Sequence, residues 1–203
     1  MTTRTMAAPP PSRLAGTLAR PTGWWGMAFF ILTEAALFSL LLASYFYIMT
    51  NAPAWPPAGI PKPDLMLPGI DTVILLSSSI PMFWATRAIS RGETSKLSLA
   101  LALAFALAVI FLVIQGYSLA NADFTPRTNA YGSLFFTIES VHAAHLVVGL
   151  LLVAFALIRN GYGHFDADHR LAIENTAMYW HFVDAVWIFV FFSLHISPYL
   201  FTP

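Results

Sequence analysis

Residues 97–117 read LSLALALAFALAVIFLVIQGY, a run of 21 residues without a charged side chain. An α-helix rises about 1.5 Å per residue, so a helix of this length matches the hydrocarbon core of a bilayer, which is about 30 Å thick. The run therefore predicts a membrane-spanning helix, and the rest of the chain is interpreted from it.

The whole chain has the composition of an integral membrane protein. Of its 203 residues, 58% are hydrophobic and 10% are charged, whereas a soluble domain has about 45–50% apolar and about 25% charged residues. Ten basic and ten acidic residues balance, so there is no electrostatic basis for binding nucleic acid. The absence of cysteine excludes disulfides, thiolate metal sites and iron–sulfur clusters.

Four further apolar stretches are long enough to cross a bilayer. Transmembrane strands would need alternating segments of about 10 residues, and the sequence has no such alternation. We therefore predict an all-α integral membrane bundle of five transmembrane helices. The predicted spans are residues 24–48, 69–89, 97–117, 132–158 and 173–196.

The segments outside the spans predict loops and a tail. Residues 51–68 contain six prolines, which predicts an extended surface loop instead of a helix. Residues 1–23 are rich in Ala, Pro and Arg and lack an apolar core, so we expect a mobile cytoplasmic tail and not a cleavable signal peptide. Residues 24–203 are predicted to form one membrane domain without internal repeats.

Basic residues predict the orientation of the bundle. Five spans place eight basic residues on one side of the membrane and only Lys62 and Arg127 on the other. Because cytoplasmic segments carry the excess of Lys and Arg, we expect a cytoplasmic N-terminus and an external C-terminus. The eight residues are Arg4, Arg13, Arg20, Arg87, Arg91, Lys96, Arg159 and Arg170.

Three ionisable side chains are predicted at a similar depth near the middle of the membrane. Glu34 lies ten residues into the first span and Asp184 eleven into the fifth, while His145 lies thirteen into the fourth, which enters from the other side. A charge at this depth costs about 2.5–3.5 kcal/mol, so each group needs an explanation. We expect Glu34, whose sequence neighbours are apolar, to be uncharged or paired with a polar group on an adjacent helix.

Polar residues also recur at helical spacing. Glu139, His142 and His145 form a stripe on the fourth span, and His181 and Asp184 form one on the fifth. Two interpretations stay open for these residues. They hold the bundle together by hydrogen bonds between helices, or they handle protons or contact lipid headgroups.

The histidines do not predict a cofactor site. His181 and His195 are 14 residues apart, a spacing that can serve two stacked haems, but such haems need opposing histidines at matching depths. The depths predicted for His142 and His145 on the fourth span do not match those of His181 and His195 on the fifth. A metal site built from the fourth-span stripe and Asp184 is chemically feasible, but the paired Glu-x-x-His motifs of di-metal bundles are lacking.

Several motifs resemble subunit III of the haem–copper oxidases, in the order of that family. AMYWHFVDAVW at 177–187 closely resembles the family's last helix. WGMAFFILTE at 25–34 is similar to the helix with its carbodiimide-reactive glutamate, and SVHAAH at 140–145 aligns with its histidine-containing stretch. YGSLFF at 131–136, and HFDADH at 164–169 followed by Glu174, match as well.

The resemblance implies the short five-helix form of cytochrome c oxidase subunit III. It implies a chain without a catalytic centre, haem, copper or other metal of its own, in which Glu34 is the carbodiimide-reactive, proton-related residue. It also implies that this subunit stabilises the catalytic subunit I, beside subunit II, supports proton uptake and binds phospholipid. The candidate polar cluster or lipid contacts are Glu139, His142, His145, Glu174, His181 and Asp184.

Other interpretations keep the fold but change the function. The chain could accompany a quinol oxidase or a nitric oxide reductase. A small proton-coupled transporter using Glu34 and Asp184 is a hypothesis of another class, but transporters usually show internal repeats and broken helices, and neither is found here. We expect the bacterial cytoplasmic membrane as the location.

Overall fold

A computed structural model describes residues 20–165 and 170–201 of the chain. It confirms the prediction of five helices long and apolar enough to span a membrane, and the described residues contain no strand. The helices are α1 (Thr22–Asn51), α2 (Met66–Ser90), α3 (Thr94–Ala120), α4 (Ala130–Gly161), α5 (Leu171–Phe191) and the short α6 (Ser197–Leu200). A π-helical turn, Phe192–Ile196, joins α5 to α6.

Helices α1 to α4 are longer than their predicted spans, whereas α5 begins two residues before its predicted span and gives way to the π-helical turn after Phe191. Helix α1 begins directly after Pro21, so the last two residues of the predicted 1–23 tail are its first turn. Residues 1–19 of that tail lie outside the described residues. The side chain of Asn129 accepts a hydrogen bond from the backbone N–H of Gly132 and caps α4.

The proline-rich connection differs from its prediction at both ends. Helix α2 already begins at Met66, and Pro68 lies in its first turn, where proline is tolerated because its missing N–H has no intrahelical partner. Trp55 is buried instead of lying on the surface, and its indole N–H donates to the Tyr45 hydroxyl at 2.8 Å. At the far end of the chain the Tyr199 hydroxyl donates to the carbonyl of Pro63. The loop therefore covers one end of the bundle.

Helix α5 is the most buried of the five and α1 the least. Helix α5 packs against α1, α2 and α4, whereas α1 contacts only α4 and α5 appreciably. Two indole N–H groups fix α5 on α2, because Trp180 donates to the Ser78 hydroxyl and Trp187 to the Thr72 hydroxyl, each at 2.9 Å. Gly149 of α4 faces the Trp180 ring of α5, where a Cβ would make an ordinary van der Waals contact at 3.4 Å.

The up-and-down order of the helices places the basic residues from Arg20 onward at the ends that the sequence predicted, whereas Arg4 and Arg13 lie outside the described residues. The start of α1, the α2–α3 connection, the end of α4 and the start of α5 lie at one end, which we call the basic end. Contacts between elements support this, because Asn160 donates to the Thr94 carbonyl and Asn175 to that of Gly23. The α1–α2 and α3–α4 loops lie at the opposite end, the loop end. The cytoplasmic assignment of the basic end stays a prediction.

Candidate functional site

Glu34 of α1 and His145 of α4 meet in the interior of the membrane span. The carboxylate oxygen Oε2 of Glu34 lies 2.8 Å from Nε2 of His145. The Phe38 ring packs edge-on against the imidazole, with ring centroids 4.9 Å apart. The side chains of Glu34 and His145 are 20% and 15% exposed, so the pair lies at the flank of the bundle. Of the two states expected for Glu34, the structure has the paired one.

The chemistry of the contacts fixes how many protons the pair holds. Nδ1 of His145 lies 2.7 Å from the carbonyl oxygen of Val141, and a carbonyl can only accept, so Nδ1 carries a proton. The contact between Nε2 and Glu34 needs one further proton, which either the ring or the carboxyl carries. The pair is therefore a neutral acid beside a neutral imidazole, or a carboxylate beside an imidazolium. Its net charge is zero in both states, which reduces the cost of placing it in a membrane.

Asp184 shares the predicted depth of this pair but contacts another helix. The Ser79 hydroxyl of α2 donates a short hydrogen bond to Oδ2 of Asp184 and also lies 3.1 Å from Nδ1 of His181. Asp184 is buried, whereas His181 is exposed on the surface of the bundle. This group joins α2 to α5 and does not include Glu34 or His145.

A third polar group joins α3, α4 and the π-helical turn. The Gln115 side-chain amide donates a short hydrogen bond to Oε2 of Glu139. Oε1 of Glu139 lies 3.9 Å from Nε2 of His195. All three residues are almost completely buried. One turn further along α4, Nε2 of His142 lies 3.4 Å from the carbonyl of Val183, and its ring packs against that of Trp187.

The three polar residues of the stripe on α4 therefore contact three different helices. Successive positions three residues apart are rotated by about 60° around a helix with 3.6 residues per turn, so the first and the last member differ by about 120°. Glu139 consequently faces α3, His142 faces α5 and His145 faces α1. Hydrogen bonding between helices accounts for these contacts, and the roles in proton handling and lipid contact stay predictions.

Glu174 lies apart from the buried groups. It is in the first turn of α5, at the basic end, where its carboxylate pairs with Nε of Arg170 at 3.0 Å. Both side chains are more than one third exposed, and exposed pairs of this kind contribute about 0–1 kcal/mol. His169 of the neighbouring motif lies outside the described residues.

Among residues 20–165 and 170–201, no three His, Asp or Glu side chains converge in a way that could hold a metal ion. The histidines of α4, α5 and the π-helical turn instead contact backbone carbonyls, carboxylates and a hydroxyl group from several helices; they are His142, His145, His181 and His195.

Sequence reasoning did not single out Ser79, Gln115 or Asp71 as members of polar groups. Asp71 is 2% exposed on α2, and a carboxylate two residues into a predicted span is a signal that could have found it. Gln115 interrupts the apolar run of its span, but an uncharged amide is a weaker indication of a buried polar contact than a carboxylate is. Ser79 carried none, because an uncharged serine is common in transmembrane helices.

Comparison with known proteins gives one consistent family. The family model described as cytochrome c oxidase subunit III matches residues 17–199. Cytochrome c oxidase subunit 3 of Synechocystis sp. is 34% identical over 173 residues, which cover 85% of this chain and 74% of that protein. The protein of the same name from Sus scrofa is 35% identical over 178 residues, 84% of this chain and 68% of its own length. That of Arabidopsis thaliana is 36% identical over 178 residues, with coverages of 84% and 67%.

Proposed function

The chain belongs to the cytochrome c oxidase subunit III family, and from this membership we propose that it packs beside the catalytic subunit I, with subunit II, in a proton-pumping terminal oxidase. As a member it is a non-catalytic subunit of an oxidase complex. The observation that carries the proposal is the family match across residues 17–199 together with five membrane-spanning helices. We further propose that the complex transfers electrons from cytochrome c to O2, as the names of the relatives indicate, in a bacterial cytoplasmic membrane.

The proposed role of the chain in the complex is to prolong the working life of the catalytic subunit and to support its proton uptake. The Glu34–His145 pair supports this, because its single shared proton can lie on either partner without a change in net charge. The pair lies at the flank of α1 and α4, where a neighbouring subunit in the membrane can reach it. Helix α1 otherwise buries only Phe38, Tyr45 and Met49 within the bundle.

We also propose phospholipid binding, for which a groove at the basic end is the best candidate. The groove has a volume of about 360 Å³ between the end of α2 and the start of α3. Arg87 and Arg91 line it, and the Lys96–Glu93 pair at 3.0 Å is neutral, so two positive charges remain. Basic groups beside apolar helix surface at a membrane boundary fit an anionic headgroup with its acyl chains. The apolar and aromatic lining consists of Trp84, Ala88, Leu99, Ala100 and Leu103.

The lipid proposal is tested by changing the groove without changing the fold. Arg87→Gln combined with Arg91→Gln should reduce the anionic phospholipid retained by the detergent-purified complex, as counted by native mass spectrometry. Arg159→Gln, which removes a basic residue from the same end outside the groove, is the matched control. Equal retention in both variants would contradict lipid binding at this groove.

Removal of the chain tests its role in the oxidase. In cells that lack it, the remaining oxidase should begin turnover at a normal or slightly reduced rate and then lose activity within fewer turnovers than the complete complex. Re-expression of the chain should restore the lifetime. An oxidase without the chain that keeps the same rate, lifetime and proton stoichiometry would refute the proposed role.

A further inference from the structure

Four polar side chains from four segments converge near the loop end of the bundle. They are Asp71 of α2, Gln115 of α3, Glu139 of α4 and His195 of the π-helical turn. Each is at most 4% exposed. Glu139 links two of them, through its hydrogen bond from Gln115 and its approach to His195 at 3.9 Å.

Three atoms of this cluster have no hydrogen-bond partner within the protein: Oδ1 of Asp71, Oε1 of Gln115 and Nδ1 of His195. An unsatisfied buried polar group destabilises the folded state, because it has lost its hydrogen bonds to water without replacing them. Native proteins usually satisfy such groups with ordered water, which needs two to four polar partners. A cavity of about 10 Å³ is lined by all four side chains, which is about the room that one water molecule needs.

A second, larger cavity connects the cluster to the loop end. It has a volume of about 180 Å³ and reaches the α1–α2 and α3–α4 loops. Polar loop residues form its outer part, with Lys62, Asp64, Asn121 and Asp123 in its lining. The two cavities share Leu67, Pro68, Ser118, Phe135 and His195.

Asp64 of the α1–α2 loop and His195 of the cluster both line this outer cavity. The backbone N–H of Met66 donates to the Asp64 carboxylate, which lowers the pKa of that carboxyl group below its usual value. A charged loop carboxylate therefore lies on the path that the cavities trace to the buried imidazole.

We propose that Asp71, Gln115, Glu139 and His195 form a hydrated site that binds water and exchanges a proton with the aqueous phase at the loop end. Water in the inner cavity completes the hydrogen bonding of the unpartnered atoms. It also links the two carboxyl groups to the imidazole, so that a proton can move among them. This site is separate from the Glu34–His145 pair, which joins α1 to α4, and does not depend on the proposed role of that pair.

A single cysteine tests whether water reaches the site, because the natural chain contains none. Ser118→Cys places a thiol where both cavities meet. A small water-soluble methanethiosulfonate, added to the intact complex, should modify it at least about ten times faster than a cysteine at Ala104→Cys, because apolar burial suppresses the reactive thiolate. Ala104 is fully buried on the same helix. Mass spectrometry of peptides from this chain measures both rates.

Infrared spectroscopy tests the exchangeable proton at the acids themselves. A protonated carboxyl band that Glu139→Gln or Asp71→Asn removes should shift within minutes when the intact complex is transferred to D2O. Asp184→Asn, which changes the buried acid of the α2–α5 group, should leave that band in place. The proposal is overturned if the cysteine at position 118 reacts as slowly as that at 104, if the band keeps its position for hours, or if neither substitution removes a carboxyl band.

Discussion

The contact between Glu34 and His145 gives a prediction whose size can be worked out from the structure. Glu34→Leu removes one hydrogen bond, the 2.8 Å contact to Nε2, while Nδ1 of His145 keeps its bond to Val141. Hydrogen bonds between membrane helices contribute about 0.6 kcal/mol on average and at most about 1.7. Both side chains are mainly buried, so we expect a coupling energy of about 0.6–1.7 kcal/mol, or an about three- to eighteen-fold change in the ratio of folded to unfolded chain.

The assay is a double-mutant cycle with Glu34→Leu, His145→Leu and the double variant. The purified chain in bicelles is unfolded with SDS, and the fluorescence of its six tryptophans follows the transition. Glu34→Gln is the control, because its amide can still hydrogen-bond to the imidazole and should change the free energy of unfolding by less than about 0.5 kcal/mol. A coupling energy below about 0.3 kcal/mol would show that the pair does not stabilise the bundle, and the reasoning from its geometry would fail.

Three further predictions concern other parts of the molecule. A hydrophobic carbodiimide should label Glu34 in preference to the loop carboxylates, because it partitions into lipid and reacts with the neutral acid; peptide mapping that finds label only in the loops would contradict this. Reporter fusions after Arg91 and after Pro203 should report the cytoplasm and the outside, and two reports from one side would refute the orientation. Gly132→Ala should destabilise the start of α4 by about 1–3 kcal/mol, because a Cβ there would lie 2.5 Å from the carbonyl oxygen of Thr125; the measurement is the SDS unfolding midpoint, and an unchanged midpoint would refute the clash.

The sequence predicted the helices well because a bilayer imposes a simple requirement on them. Each span must be about 20 residues long and apolar, whatever its neighbours are. The boundaries were less accurate, since α4 begins directly after its cap Asn129 and α2 includes Pro68 in its first turn, both ahead of the predicted apolar stretches. Trp55 was wrongly expected on the surface because its proline-rich surroundings gave no sign of the aromatic pocket formed by Tyr45 and Tyr131.

The polar contacts could be predicted only in part. Depth along a helix follows from counting residues, and it correctly brought Glu34 and His145 to one level. Depth does not tell which neighbour a side chain faces, because that depends on helix order and rotation. Asp184 at the same depth therefore bonds to Ser79 of α2, and the convergence of Asp71 with Glu139 could not be deduced from the sequence alone.

Purification of the chain from its native membrane in mild detergent tests the central claim most directly. An affinity tag on the chain should retain a haem-containing catalytic subunit in equal amount, as quantified by mass spectrometry and by the visible spectrum of the eluate. The chain separated from that complex should show neither haem absorption nor stoichiometric copper or iron. Elution without a haem-containing partner, or with one haem or metal ion per isolated chain, would contradict its assignment as a non-catalytic oxidase subunit.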